Sequence, residues 1–278
     1  MELIKTCSGL IFCLIIIISP VPLSLFFLVL AQRWRPRKSL SYSLLFIVTV
    51  WVITQIIVGL LLGSLGLLKI QALVLIEVIV FITGSILLHP TYKEVKAEGN
   101  HNLPDFYLYF EKRELLILNT IILVGVFILI TLLTCVVVDY DSLWFHLPAI
   151  AHWYQTGSLT LLDASGHWVF EHPDANRYPY NWHILSLLCL LPFQQDLLVA
   201  LPIFLAWVML GLAVYLLSRE FGAYRFYSLA ATALLLSTPM ILDRVNTLQV
   251  DLPLAAMVLT SLYFSYSCHK TRSPVEAA

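Results

Sequence analysis

Charge is what this chain has least of. Asp, Glu, Lys and Arg make up 12% of its 278 residues, against about 25% in ordinary soluble domains. So thin a charged coat excludes a water-facing globule of this size. The acids and bases also nearly cancel, leaving a formal net charge of −1. No bulk basic field exists, which excludes nucleic acid as a partner. Cysteine offers no metal motif either. Cys7, Cys13, Cys135, Cys189 and Cys268 lie in or beside apolar runs at no ligand spacing, so they read as small buried hydrophobes. No soluble domain, repeat or low-complexity tract interrupts the chain.

What fills it is apolar: 60% hydrophobic residues and a mean hydropathy of +0.87. This composition predicts an all-α polytopic membrane protein. A crossing helix needs about 20 apolar residues, and seven stretches qualify: 7–31, 41–62, 70–88, 115–138, 197–217, 226–242 and 252–267. The first is too long for the ~7–15-residue core of a signal peptide. It ends in no cleavage pattern, and Arg33, Arg35, Arg37 and Lys38 follow it, so it reads as a retained span.

Basic residues orient the spans. Arg33, Arg35, Arg37 and Lys38, then Lys93, Lys96, Lys112 and Arg113, then Arg219 and Arg225, then Lys270 and Arg272 all fall on one side of the alternation. The other side has only Lys69, Arg177 and Arg244. The expected topology puts the N-terminus and segment 139–196 outward, with residues 269–278 as a cytoplasmic tail. In that outer segment Leu143, Leu147, Ile150 and Tyr154 recur at helical spacing, predicting one or two short helices over 142–156 along the membrane surface, with Pro148 as kink or start and Gly157 as stop. Residues 163–181 read as loop. Residues 182–193 are apolar but too short to cross, which predicts a juxtamembrane or re-entrant helix. Gly59 and Gly63 form a GxxxG, a signal for close helix contact. Glu77 sits alone inside the third span, where an interhelix hydrogen bond accounts for it.

Candidate chemistry gathers in Asp139-Tyr140-Asp141-Ser142-Leu143-Trp144-Phe145-His146-Leu147-Pro148, where an apolar run abruptly stops. Acids at a membrane boundary must be solvated, paired or used. Asp141 and Asp251 each stand at a boundary and each begins an apolar helical stretch. A carboxylate so placed either caps a helix or, in a shared outer cavity, acts as general base or metal ligand. His146 lies one to two turns past Asp141 and can line the same cavity. His146 and His152 are six apart, which is not a helical zinc pair. Arg177 and Arg244 are the arginines of the outer side, suited to pairing a phosphate or carboxylate, although Arg244 can equally bridge to Asp243 or Asp251. Trp144, Trp153, Trp168, Trp182, Tyr154, Tyr178 and Tyr180 suit an interfacial belt; some can stack on a sugar, and no spacing selects which.

The segment from Asp141 through Trp144, His146 and Pro148 to His152-Trp153-Tyr154-Gln155-Thr156-Gly157 resembles the first outer loop of GT-C fold glycosyltransferases, of the protein-mannosyltransferase and aminoarabinose-transferase kind. Asn176-Arg177-Tyr178-Pro179-Tyr180-Asn181 and the apolar stretch after it look like that family's juxtamembrane segment, with Tyr180 and Asn181 standing where its second Pro would be. Ser218-Arg219-Glu220-Phe221-Gly222-Ala223 is similar to its cytoplasmic turn, and residues 246–264 to its second outer loop and following helix. The likeness covers residues 115–268. Residues 1–114 then form an accessory block of three spans and a cytoplasmic loop.

The resemblance implies an enzyme of a bacterial plasma membrane, with its active face outward. It would move a sugar from a polyprenyl-phosphate donor to a lipid, glycan or protein acceptor. Asp141 would be the catalytic base, Asp251 the second acid, and His146, Arg177 and Arg244 substrate contacts. Branches of the family differ in metal use, so a divalent metal is left open. Such enzymes continue for several more spans, so the chain is expected to hold the half that carries the acids: a fragment, a truncated frame or a partner subunit. The alternative is a non-catalytic protein of glycan assembly, a transporter or lipid-carrier-binding subunit, which buried mid-bilayer acids and broken helices would mark.

Overall fold

The computed structural model describes residues 2–34, 39–97 and 110–276, and side chains for 8–31, 39–91 and 110–270. The side chains of Arg33, Arg35, Arg37, Lys38, Lys93, Lys96 and Arg272, which oriented the spans, lie outside the described residues. Helices follow one another: α1 (Glu2–Ile18), α2 (Val21–Trp34), α3 (Leu40–Ser64), α4 (Ile70–Ala97) and α5 (Lys112–Thr134). A π turn (Ser142–His146) leads into α6 (Leu147–Thr156), then α7 (Pro173–Asn176), α8 (His183–Phe193), α9 (Leu201–Glu220), α10 (Arg225–Leu236), α11 (Pro239–Val245) and α12 (Asp251–Glu276). The described residues hold no strand, only an isolated antiparallel bridge between Leu162 and Trp168.

Local chemistry explains the boundaries. Ser39 caps α3, its Oγ accepting from Tyr42 N at 3.3 Å. Glu111 and Glu114 form a capping box at α5. Pro148, Pro173, Pro202 and Pro239 each stand in a first turn, where a missing N–H costs nothing. Gly157 ends α6 in the left-handed region at φ 73°.

Among the described residues five helical segments are long and apolar enough to cross a membrane: Ser8–Ala31, Leu40–Ser64, Ile70–Thr91, Lys112–Thr134 and Asp196–Glu220. A sixth forms if Arg225–Leu236 and Pro239–Val245, bent by 60°, make one crossing. Of the seven spans expected, the described residues thus supply five or six. The expected last span lies on α12, which has the length, but Thr260, Ser261, Tyr263, Ser265, Tyr266 and Ser267 dilute its apolar content. The fourth stops at Thr134 rather than at residue 138; Cys135 is extended and 135–139 hold no regular structure.

The first span is two helices. Pro20 has no N–H to return to the Ile16 carbonyl. Helix α3 fills the gap: Gln55 Nε2 donates to Ile16 O at 2.8 Å and Trp51 Nε1 to Ile17 O at 3.0 Å. At the same break Ser19 donates to Glu77 of α4, a wholly buried acid, giving the interhelix bond that its position suggested.

The register of the surface helix also differs. Leu143 is half exposed, whereas His146, Ala149, Ile150 and Trp153 are buried. Leu147 N bonds Ser142 O, five residues back, and this one wider turn rotates the buried face by a residue. Helix α8 is no surface helix either. Almost every residue from His183 to Leu191 is buried, against α1, α3 and α6.

One end of the bundle gathers the turn after α3, the segment 135–200 and the α11–α12 loop. Leu68 N donates to Gly157 O at 2.8 Å and Leu159 N to Gly63 O at 3.2 Å. The opposite end holds ion pairs, Arg225 with Glu114 at 3.7 Å and Lys270 with Glu220 at 3.0 Å.

Both GxxxG glycines mark close approaches, made to α8 and residue 159 rather than to another span. A Cβ on Gly59 would lie 2.1 Å from Ile184 Cγ2, and one on Gly63 2.3 Å from Leu159 Cγ. Ile184 is branched at Cβ and buried, so it yields little. Gly59→Val is expected to destabilise the protein by about 1–3 kcal/mol, read as a lowered denaturation midpoint in detergent, while Gly66→Val, whose Cβ meets only open space, pays only for its positive φ.

Candidate functional site

The two loops that carry the boundary acids meet. Asp139 precedes the π turn, and its Oδ2 accepts from Ser142 N at 3.1 Å and Ser142 Oγ at 2.9 Å. That carboxylate is the cap of the turn. Asp141, expected to cap or to catalyse, makes no capping bond, so its carboxylate stays available.

The second loop arrives between α11 and α12. Leu248 N donates to Ser142 Oγ at 2.8 Å. Gln249 Nε2 reaches Asp141 Oδ2 at 3.1 Å and Asp139 Oδ2 at 3.3 Å. Arg244 Nη1 donates to Gln249 Oε1, which fixes the amide with its NH2 toward the acids. Thr247 Oγ1 donates to Arg244 O at 2.9 Å and closes the loop on itself. Arg244 therefore pairs with an amide, and the expected bridge to Asp243 or Asp251 is not made.

Asp251 opens α12 on an exposed first turn, and its carboxylate makes no hydrogen bond among the described residues. Tyr178 connects it to Asp141. Its phenol is raised above the ordinary value by burial first, then by the Asp251 and Asp141 carboxylates. Both acids thus stand within electrostatic reach of one side chain.

Behind the acids lies an aromatic wall. The His146 and His183 rings stack at 4.6 Å between centroids, and Tyr178 meets His146 edge-on at 5.0 Å. His146 is 1% exposed, so it backs the cluster instead of lining it. Burial lowers His146 to about 4 against an upward pull from Asp139. Burial, then the neighbouring His146 ring, lowers His183 to about 3. Both are neutral near pH 7 and supply no cation to the site. Arg177 is exposed at the end of α7, where its backbone N donates to Asp174 O at 3.2 Å. Its guanidinium makes no hydrogen bond or ion pair among the described residues, so it is not drawn into the cluster.

Among the described residues no three His, Cys, Asp or Glu side chains converge on a metal position. The donors at hand, two carboxylates sharing an amide, do not complete a divalent site on their own. What they can do is accept a proton: Asp141 keeps its other oxygen unbonded while Gln249 holds the first.

The sequence pattern singles out Asp141 and Asp251 and gives no role to Asp139, Ser142, Gln249 or His183. A D-x-x-S at a helix mouth was the available signal for the first pair. Gln249, an amide in a polar loop, carries none. Comparison of the chain with protein-family models, with curated proteins and with solved structures finds no match.

Two outcomes follow. Ser142→Ala strands the buried Leu248 N–H, and is expected to cost about 1–3 kcal/mol, checked by denaturation in detergent. The histidine pair makes the fold acid-sensitive. An unfolded histidine takes its proton near pH 6.5, whereas folded His146 refuses it until about 4. The unfolded state therefore binds more protons across that window, and stability falls as pH drops through it. The melting midpoint is expected to be lower near pH 5 than near pH 7, with a smaller difference in His183→Leu.

Proposed function

We propose that the chain acts in a membrane glycosyltransferase that uses a polyprenyl-phosphate-linked sugar, and that it carries the catalytic acids. In this reading Asp141 takes the proton of an acceptor hydroxyl. The freed oxygen attacks the anomeric carbon from the face opposite the lipid phosphate, the bond to that phosphate breaks, and the phosphate leaves with the electron pair. Arg244, half-buried beside the acids, offsets the charge that develops on the phosphate. The observation that carries the reading is the junction itself: residues of two loops over a hundred positions apart hold Asp141 with one carboxylate oxygen bonded and the other unbonded. The ion-paired Arg225 and Lys270 lie at the opposite end of the bundle, which under the positive-inside rule supports an outward face for the acids.

A second reading is favoured by the first three spans. A helix broken at Ser19–Pro20 beside the buried Glu77 is the arrangement expected of a transporter. Transfer of radiolabelled sugar in proteoliposomes of the full protein separates the two. Asp141→Asn is expected to lower transfer by about a hundredfold or more with the melting midpoint little changed. Transfer unaffected by Asp141→Asn removes the transferase reading, and loss of solute uptake in Glu77→Gln establishes the transporter.

A further inference from the structure

A cavity of about 330 Å3 opens on one side of Tyr178, walled by α3, the Leu161–Trp168 hairpin and the start of α8. Its lining is mainly apolar, with no charged side chain: four leucines and Ile184 stand beside the rings of Trp153, Trp168, Tyr178 and Tyr180, while Thr160 and Asn181 supply neutral donors and acceptors. Tyr178 belongs to both places. It lines the cavity, and it is the side chain that feels Asp141 and Asp251.

The far wall is held rigidly. Val169 N bonds Leu161 O at 3.0 Å and Asp163 N bonds His167 O at 2.8 Å. Asp163 Oδ1 closes the tip by accepting from Ser165 N and His167 N, both at 2.8 Å. Asn176 clamps the base, its Nδ2 donating to Phe170 O at 2.6 Å and its Oδ1 accepting from Phe170 N at 3.2 Å. The Trp168 ring nevertheless stays 56% exposed. A large indole presented to the cavity mouth on a fixed hairpin contributes little to the core, and it costs no ordering when a ligand arrives.

We propose that this cavity binds an uncharged sugar ring, the acceptor glycan of the reaction. The absence of a cation among its lining residues argues against a phosphate or carboxylate, which would demand one. Aromatic faces suit the C–H faces of a sugar, and neutral hydroxyl and amide groups suit its hydroxyls. The volume lies at the low end of the ~300–1,000 Å3 typical of ligand sites, which fits one or two rings. Tyr178 then stands between the bound ring and Asp141. The acceptor role rests on the transferase reading, whereas sugar binding does not.

The test uses the full chain in nanodiscs, with uncharged methyl hexosides and disaccharides as probes and saturation-transfer NMR as readout. At least one probe is expected to bind at millimolar Kd. Trp168→Ala and Asn181→Leu, both exposed positions, should each weaken it by about tenfold. Trp144→Ala, which does not line the cavity, should leave it unchanged. Binding that survives Trp168→Ala, or binding of anionic sugars alone, overturns the proposal. Sugar transfer to a non-glycan hydroxyl without glycoside binding rejects the cavity and keeps the transferase. Glycoside binding without transfer keeps the cavity and rejects the transferase.

Discussion

A polar group withdrawn from water must find a partner inside the protein, and at the site end this demand converges on the Asp139 carboxylate. One oxygen takes the Ser142 amide, the Ser142 hydroxyl and the Gln249 amide. The first closes a π turn, the second orients a hydroxyl that receives Leu248, and the third brings in Arg244. Without that carboxylate the turn has no cap, the hydroxyl loses its acceptor, and the second loop has no reason to lie where it does. Asp141 depends on the same junction only through Gln249, which leaves it half satisfied. One Asp139 oxygen thus takes three donors, whereas Asp141 takes a single one.

The same demand is met differently at the other break in the helical order. Pro20 opens the first span, and the freed carbonyls of Ile16 and Ile17 are taken by Gln55 and Trp51, one turn apart on α3. Ser19 and Glu77 add a contact from the remaining helix. A proline that would unravel an isolated helix here binds three helices together.

Much of the architecture was legible in the sequence because it follows from composition and from local stereochemistry. Apolar run length located the five strongest spans, and Gly157 and Pro148 marked the ends of α6. Three features escaped for stated reasons. A π turn inserts no recognisable residue, so the buried face of α6 was read one position off. The hydroxyl-rich α12 has helical length without the apolarity of a span. Which of two nearby aspartates caps the turn is decided by Leu248 and Gln249, over a hundred residues away, and local pattern does not register such a contact. The resemblance to GT-C enzymes named Asp141 and Asp251, and the fold brings both to Tyr178; it leaves Arg177 apart and turns His146 inward.

The two hydrogen bonds that fasten the α3–α4 turn to Gly157 and Leu159 bear on how the chain is divided. With them go the contact of Gly59 on Ile184 and that of Gly9 on the Pro192 carbonyl, at 2.7 Å from where a Cβ would stand. The first three helical spans are therefore packed directly against α8 and residues 157–159, and α3 supplies one wall of the aromatic cavity. A scission at residue 114 would leave α8 with a bare apolar flank and the aromatic cavity without one of its sides. The block that looks accessory in the sequence is, mechanically, masonry.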